Sequence, residues 1–145
     1  LLEGGDTVDL PDFRIKLPKG WERIEERLVP LHARPPGDEL YPNLKVAVVK
    51  LSKAATLADV VTQSKKAYGK AWAVEEEAPA KVNGCAAVRM VLVQDYLVTR
   101  SRAVKYFVSA GGKVLVVTGE SESDKFGQQL PLFEAVVQTL EVTKS

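Results

Sequence analysis

The chain has 145 residues, 46% of them hydrophobic, with 20 lysine and arginine side chains against 19 aspartate and glutamate. That length suits one domain with a sizeable core, and a formal net charge of +1 excludes general electrostatic capture of nucleic acid or of an anionic membrane. The single cysteine, Cys85, excludes an intrachain disulfide and reads as an inert buried thiol.

Residues 1–8 are polar and glycine-containing and are expected to be a flexible entry segment ahead of one domain over 9–143, with 144–145 as a loose end. No apolar run is long enough to cross a bilayer, and no leader is visible. The opening Leu1 leaves room upstream for an initiator, a leader or a lipid-bearing cysteine. Peripheral membrane association through such a segment is the expected mode if a membrane is involved.

Phe13 to Leu17 alternates apolar and charged side chains and predicts a strand with one wet face. Pro18-Lys19-Gly20 turns the chain into Trp21-Glu22-Arg23-Ile24. Leu28 to Ala33 predicts a short strand, which Arg34-Pro35-Pro36-Gly37-Asp38 ends with a surface loop extending toward Pro42. Loops display binding groups without rebuilding the scaffold, so this one is the most suspect connection.

Leu44 to Leu51 predicts the next strand, and Thr56 with Asp59 a helix start, since Thr56 can accept a free backbone N–H and Asp59 suits the positive end. Leu57, Val60, Val61, Ser64, Ala67 and Tyr68 recur at helical spacing, and Gly69 terminates. Ala71 to Glu75 returns to sheet, Glu75-Glu76-Glu77 reads as a hydrated patch, and Pro79 to Gly84 reads as a connection.

Asn83 to Gly119 organises the rest. Cys85–Val93, Arg102–Val108 and Lys113–Thr118 are rich in valine and aromatic residues and predict consecutive strands, with Tyr96-Leu97-Val98 prolonging the first or connecting it onward. Gly111-Gly112 supplies the positive backbone angles of a tight antiparallel hairpin. Ala86, Val88, Met90 and Leu92 share one face and Ala87, Arg89, Val91 and Val93 the other, so both faces need cover. Glu120 to Asp124 reads as a polar helix entry. Phe126, Leu130, Phe133, Val137 and Leu140 then form a stripe, either in a helix starting near Leu130 or in one kinked at Pro131. Glu141 to Ser145 frays or adds a terminal strand. The fold class is α+β.

Chemistry is sparse. His32, the only histidine, has no nucleophile implied by spacing. Asp38, Glu39, the Glu75–Glu77 run and Glu120 to Asp124 lack the controlled separation of an acid–base pair. Gly111-Gly112 lacks the lysine and hydroxyl residue of a phosphate loop. No cofactor, metal or specific nucleic acid is expected, and an uncharacterised hydrolase is the weakest reading. Arg89, Arg100, Arg102 and Lys105, with Lys65, Lys66 and Lys70, form the main cationic group, but Arg102 and Lys105 fall on opposite strand faces. Trp72 and Tyr106 are expected in the scaffold. The candidate interaction surface is Trp21, Arg34, Tyr41, Arg100, Arg102 and Lys105, directed at an unidentified protein partner.

In order, Phe13-Arg14-Ile15-Lys16-Leu17-Pro18-Lys19-Gly20-Trp21, Pro42 to Val49, the Thr56 helix entry, Gly84 to Leu92, and Gly111 to Thr118 before Phe133 resemble the PsbP-like fold group. That group includes photosystem accessory proteins, small Ran-binding proteins and bacterial DcrB-type lipoproteins. The resemblance spans most of Asp9 to Val142. It implies a central, largely antiparallel sheet flanked by helices, used as a non-catalytic accessory or interaction scaffold in an extracytoplasmic or envelope setting, with no catalytic residue to carry over. A small-ligand carrier with a cavity between sheet and helix is the alternative expectation.

Overall fold

The computed structural model describes residues 1–95 and 100–143. Its strands are β1 (Thr7–Asp9), β2 (Phe13–Lys16), β3 (Glu22–Arg23), β4 (Leu31–Arg34), β5 (Asn43–Lys50), β6 (Trp72–Val82), β7 (Cys85–Asp95), β8 (Arg100–Ser109), β9 (Lys113–Glu122) and β10 (Glu141–Val142). The helices are α1 (Leu57–Tyr68) and α2 (Phe126–Gln138). A seven-stranded sheet in the order β3-β4-β5-β9-β8-β7-β6 is antiparallel throughout, and β1-β2-β10 form a second, three-stranded sheet. The predicted α+β class and its largely antiparallel central sheet are present.

Both faces of the large sheet are covered, as the two apolar faces of β7 require. Met90, Leu92, Phe107 and Val114 pack with Val61 of α1 on one side. Ala87, Val91, Val104, Leu115 and Val117 pack on the other with Phe133, Val136 and Val137 of α2 and with Phe13 and Ile15 of β2. Phe13, Phe107 and Phe133 are fully buried, each worth roughly 1.5–3 kcal/mol of transfer free energy.

The helix start at Thr56 forms a full capping box. The hydroxyl accepts from the Asp59 N–H and the Asp59 carboxylate accepts from the Thr56 N–H. Pro131 neither splits α2 nor delays its start. The carbonyl it deprives of a partner is that of Gly127, and both residues are exposed, so water can serve it. The last residues take the strand option, as β10 pairs with β2.

Several boundaries differ from the sequence expectation. The first strand starts at Thr7, within the stretch read as an entry segment, and it pairs with β2 and buries Val8 in the core. The fourth strand starts at Leu31, leaving Leu28 93% exposed in the preceding loop. Glu120, Ser121 and Glu122 belong to β9, and a short 3-10 turn over Ser123–Lys125 precedes α2. Tyr96-Leu97-Val98 lies outside the described residues. Cys85 is only half-buried, because it opens β7 at the end of the sheet.

Pro79 to Val82 is strand, and only Asn83-Gly84 turns. Asn83 and Gly84 have φ of 47° and 81°, the pair of positive angles that a two-residue hairpin with right-handed strand twist needs. Val82 and Cys85 flank that turn and exchange hydrogen bonds, so Lys81 and Pro79 direct their backbone nitrogens to the free edge. Pro79 therefore breaks no ladder bond, and β6 is an edge strand that proline makes a poor template for another chain.

Candidate functional site

At one end of the large sheet, the loop before β5, the start of β8 and the end of β9 enclose an open groove of about 780 Å³. Its walls are Glu39, Leu40 and Tyr41 on one side, Arg100 and Arg102 on another, and Glu122, Ser123 and Asp124 at the entry to α2. The loop is held from below, since the Arg34 guanidinium donates to the Glu39 carbonyl at 3.3 Å and the Asn43 side-chain amide to the Leu40 carbonyl at 2.8 Å. Leu40 is 71% exposed. Leu40 is thus a large apolar side chain open to solvent on a loop whose Glu39 and Leu40 carbonyls are both held.

Three of the six candidate residues, Tyr41, Arg100 and Arg102, meet in this groove, and Arg34 supports it from behind. The other two do not. Trp21 is half-buried and packs on the main core. Lys105 faces α1, where its ammonium donates to the Tyr68 hydroxyl at 2.8 Å. Burial lowers the Lys105 pKa, opposed by the charge of Glu120, and burial pushes the Tyr68 phenol up to about 12. Glu39, Leu40 and Glu122 to Asp124 also line the groove and are not among the six candidates. The available signal was a leucine between an acid and a tyrosine in a proline- and glycine-rich loop.

Arg102 is engaged within the fold. Its Nε and Nη2 donate to the two carboxylate oxygens of Glu75 at 2.9 and 3.0 Å. A strand that simply alternated would send Glu75 and Glu76 to opposite faces, but the register of β6 against β7 shifts between Val74 and Glu76. The bulge turns both carboxylates to the α2 side. Glu75 meets Arg102 there, and Glu76 meets Arg89 at 3.3 Å, while Glu77 reaches Lys65 of α1. The acidic run stays exposed, as a hydrated patch should, and each of its carboxylates also makes an ion pair.

Arg89 is also committed. It lies 3.6 Å from Glu134 of α2, whose carboxylate accepts from the Tyr106 hydroxyl at 3.2 Å. Burial raises the Tyr106 pKa, helped by Glu134 and opposed by Arg89. These residues bolt α2 to the sheet and do not present a cationic surface. Arg100, Glu39 and Asp124 are the exposed charges left at the groove without an ion pair among the described residues.

His32 sits on β4 with its Nδ1 2.9 Å from the Glu26 carboxylate. Among the described residues, no group of three or more histidine, cysteine, aspartate or glutamate side chains is placed to hold a metal ion. No described helix is long and apolar enough to cross a membrane.

No family profile matches the sequence, and no curated protein matches it. Solved structures do match. The chain is similar to the cyanobacterial PsbP protein CyanoP from Synechocystis sp. PCC 6803, with a TM-score of 0.71 and 14% identity over 97% of this chain and 94% of that one. It is equally similar to LpqN of Mycobacterium tuberculosis, described as involved in cell envelope biogenesis, with a TM-score of 0.71 and 12% identity over 96% and 90% of the two chains. A Bacteroides thetaiotaomicron protein matches with a TM-score of 0.70 and 13% identity over 98% of this chain, which spans half of that one. The seven-stranded antiparallel sheet, the small sheet and the two helices are the PsbP-like fold.

Proposed function

We propose that this protein is a non-catalytic accessory protein that holds a protein partner in the groove bounded by Leu40, Tyr41 and Arg100. The observation that carries the reading is the exposed Leu40 on its tethered loop, set beside Tyr41 and facing Arg100 across a recess at the end of a rigid sheet. An apolar anchor ringed by charge is the usual make-up of a contact patch. The structural likeness to LpqN favours an envelope setting. Peripheral attachment through a segment upstream of Leu1 fits that setting and is tested by fractionating the full-length native product.

A photo-cross-linking amino acid placed at position 40, with the same group at Leu28 as control, tests the reading in the native host. Leu28 is more exposed than Leu40 and lies outside the groove. A discrete protein adduct at 40, absent at 28 and lost on Tyr41→Ala with Arg100→Glu, is the expected result. Equal adducts at both positions, or an adduct at 40 that survives those substitutions, refutes it.

A further inference from the structure

On the opposite layer, between α1 and the end of β5, lies a second open recess of about 840 Å³. Its floor is apolar, with Val49, Leu51 and Val60, and its walls mix alanines with Thr62, Gln63 and Ser64. Ala67, expected from its helical spacing to face the core, is exposed here. Lys50 and Lys66 stand on the rim, with Lys53 and Lys70 close by in sequence. All four are exposed and make no ion pair among the described residues, unlike Lys65, which is paired with Glu77. Asp59, the carboxylate of the recess, is occupied by the capping box of α1. In a chain whose total charge nearly cancels, an apolar trough with a cationic rim is a local asymmetry.

We infer that this recess binds an acidic amphipathic helix of a partner protein, its apolar stripe on the floor and its carboxylates toward Lys50 and Lys66. The occupant follows from shape and charge together. The recess is open to solvent, so a small molecule would fall short of the 70–90% burial typical of ligand pockets. A bilayer surface is flat and would meet the rim but not the recessed floor. Alanine and serine walls let a helix backbone come close, and a helix lying along α1, about 18 Å long at 1.5 Å per residue, makes about three turns of contact. The recess shares no residue with the groove of Leu40, so either site can fail alone.

The test uses the intact protein and two monomeric, fluorescently labelled designed helices of identical leucine pattern, one flanked by glutamate and one by lysine. Vesicles of phosphatidylglycerol and phosphatidylcholine form a third arm. The acidic helix is expected to bind at least tenfold more tightly than the basic one, with amide shifts confined to 49–67. Lys50→Glu with Lys66→Glu, and separately Ala67→Arg, should each weaken it at least tenfold while leaving the circular dichroism spectrum unchanged. Equal binding of the two helices, shifts elsewhere, insensitivity to the lysine pair, or preferential lysine-dependent binding to the vesicles overturns the inference.

Discussion

Gly119 lies on β9 where a side chain would run into the ring of Phe133. A Cβ built there comes 2.4 Å from Cγ and 2.6 Å from Cδ1 of that ring, whereas ordinary contact begins near 3.4 Å. Gly119→Ala therefore requires a shift of about 1 Å, and neither side can give it cheaply. β9 is hydrogen-bonded on both edges, to β5 and β8, and Phe133 is 1% exposed in a packed core. Overpacking of this kind costs about 1–3 kcal/mol, or about 3–10 °C in Tm for a domain of this size. Phe133→Ala alone should cost about 3–5 kcal/mol. The two losses should not add: without the ring, Gly119→Ala becomes neutral or slightly stabilising, since alanine is the better strand residue. Urea unfolding of both single variants and the double variant measures this coupling. Additive losses would refute the claim that Gly119 exists to seat Phe133. The consequence reaches the groove, because the end of β9 and the turn leading into α2 carry Glu122 to Asp124 into the wall.

The Arg102–Glu75 pair is bidentate and partly shielded, so a double-mutant cycle with Arg102→Gln and Glu75→Gln should give a coupling of about 1 kcal/mol that shrinks in salt. A coupling of zero would mean that the bulge of β6 does not lock that wall. Asn83 both turns the hairpin and donates its side-chain amide to the carbonyls of Gln138, the last residue of α2, and of Leu140 just after it. Asn83→Gly should lose about 1–2 kcal/mol with the turn intact, and Asn83→Ala about 1 kcal/mol more. Full stability in the glycine variant would show the amide clamp to be idle. Tyr68 should contribute no phenolate absorbance at pH 10 in the folded protein, read against Tyr68→Phe, because burial holds it protonated to about pH 12. The stability this gives is fully present below pH 10 and is lost as pH rises toward 12; a Tyr68 transition near pH 10 would contradict the burial.

The sheet was legible because its strands are long, rich in valine and bounded by glycine. Gly111-Gly112 announces its hairpin, and the two apolar faces of β7 announce cover on both sides. Thr56 and Asp59 announced α1 for the same reason, since capping is a local interaction. What stayed hidden depends on partners distant in sequence. Pro79 looks like a breaker until β6 is known to be an edge, where its missing N–H costs nothing. Glu75 to Glu77 is exposed as its charge suggests, but its ion pairs depend on a one-residue bulge that aims two carboxylates at Arg89 of β7 and Arg102 of β8. Arg102 accordingly looked available and is clamped, and Lys105, placed on the same candidate surface, turns under α1. Tyr41 and Arg100 are 59 positions apart (100 minus 41), and only the antiparallel order β5-β9-β8 brings them to one groove.

The central claim is that the groove of Leu40, Tyr41 and Arg100 is a docking surface. Its most direct measurement is the dissociation constant of the partner cross-linked at position 40, determined for the wild-type protein and for Leu40→Glu and Leu28→Glu. The account predicts at least a tenfold loss of affinity for Leu40→Glu, about 1.4 kcal/mol, with Leu28→Glu unchanged. Equal affinities for all three proteins would contradict it.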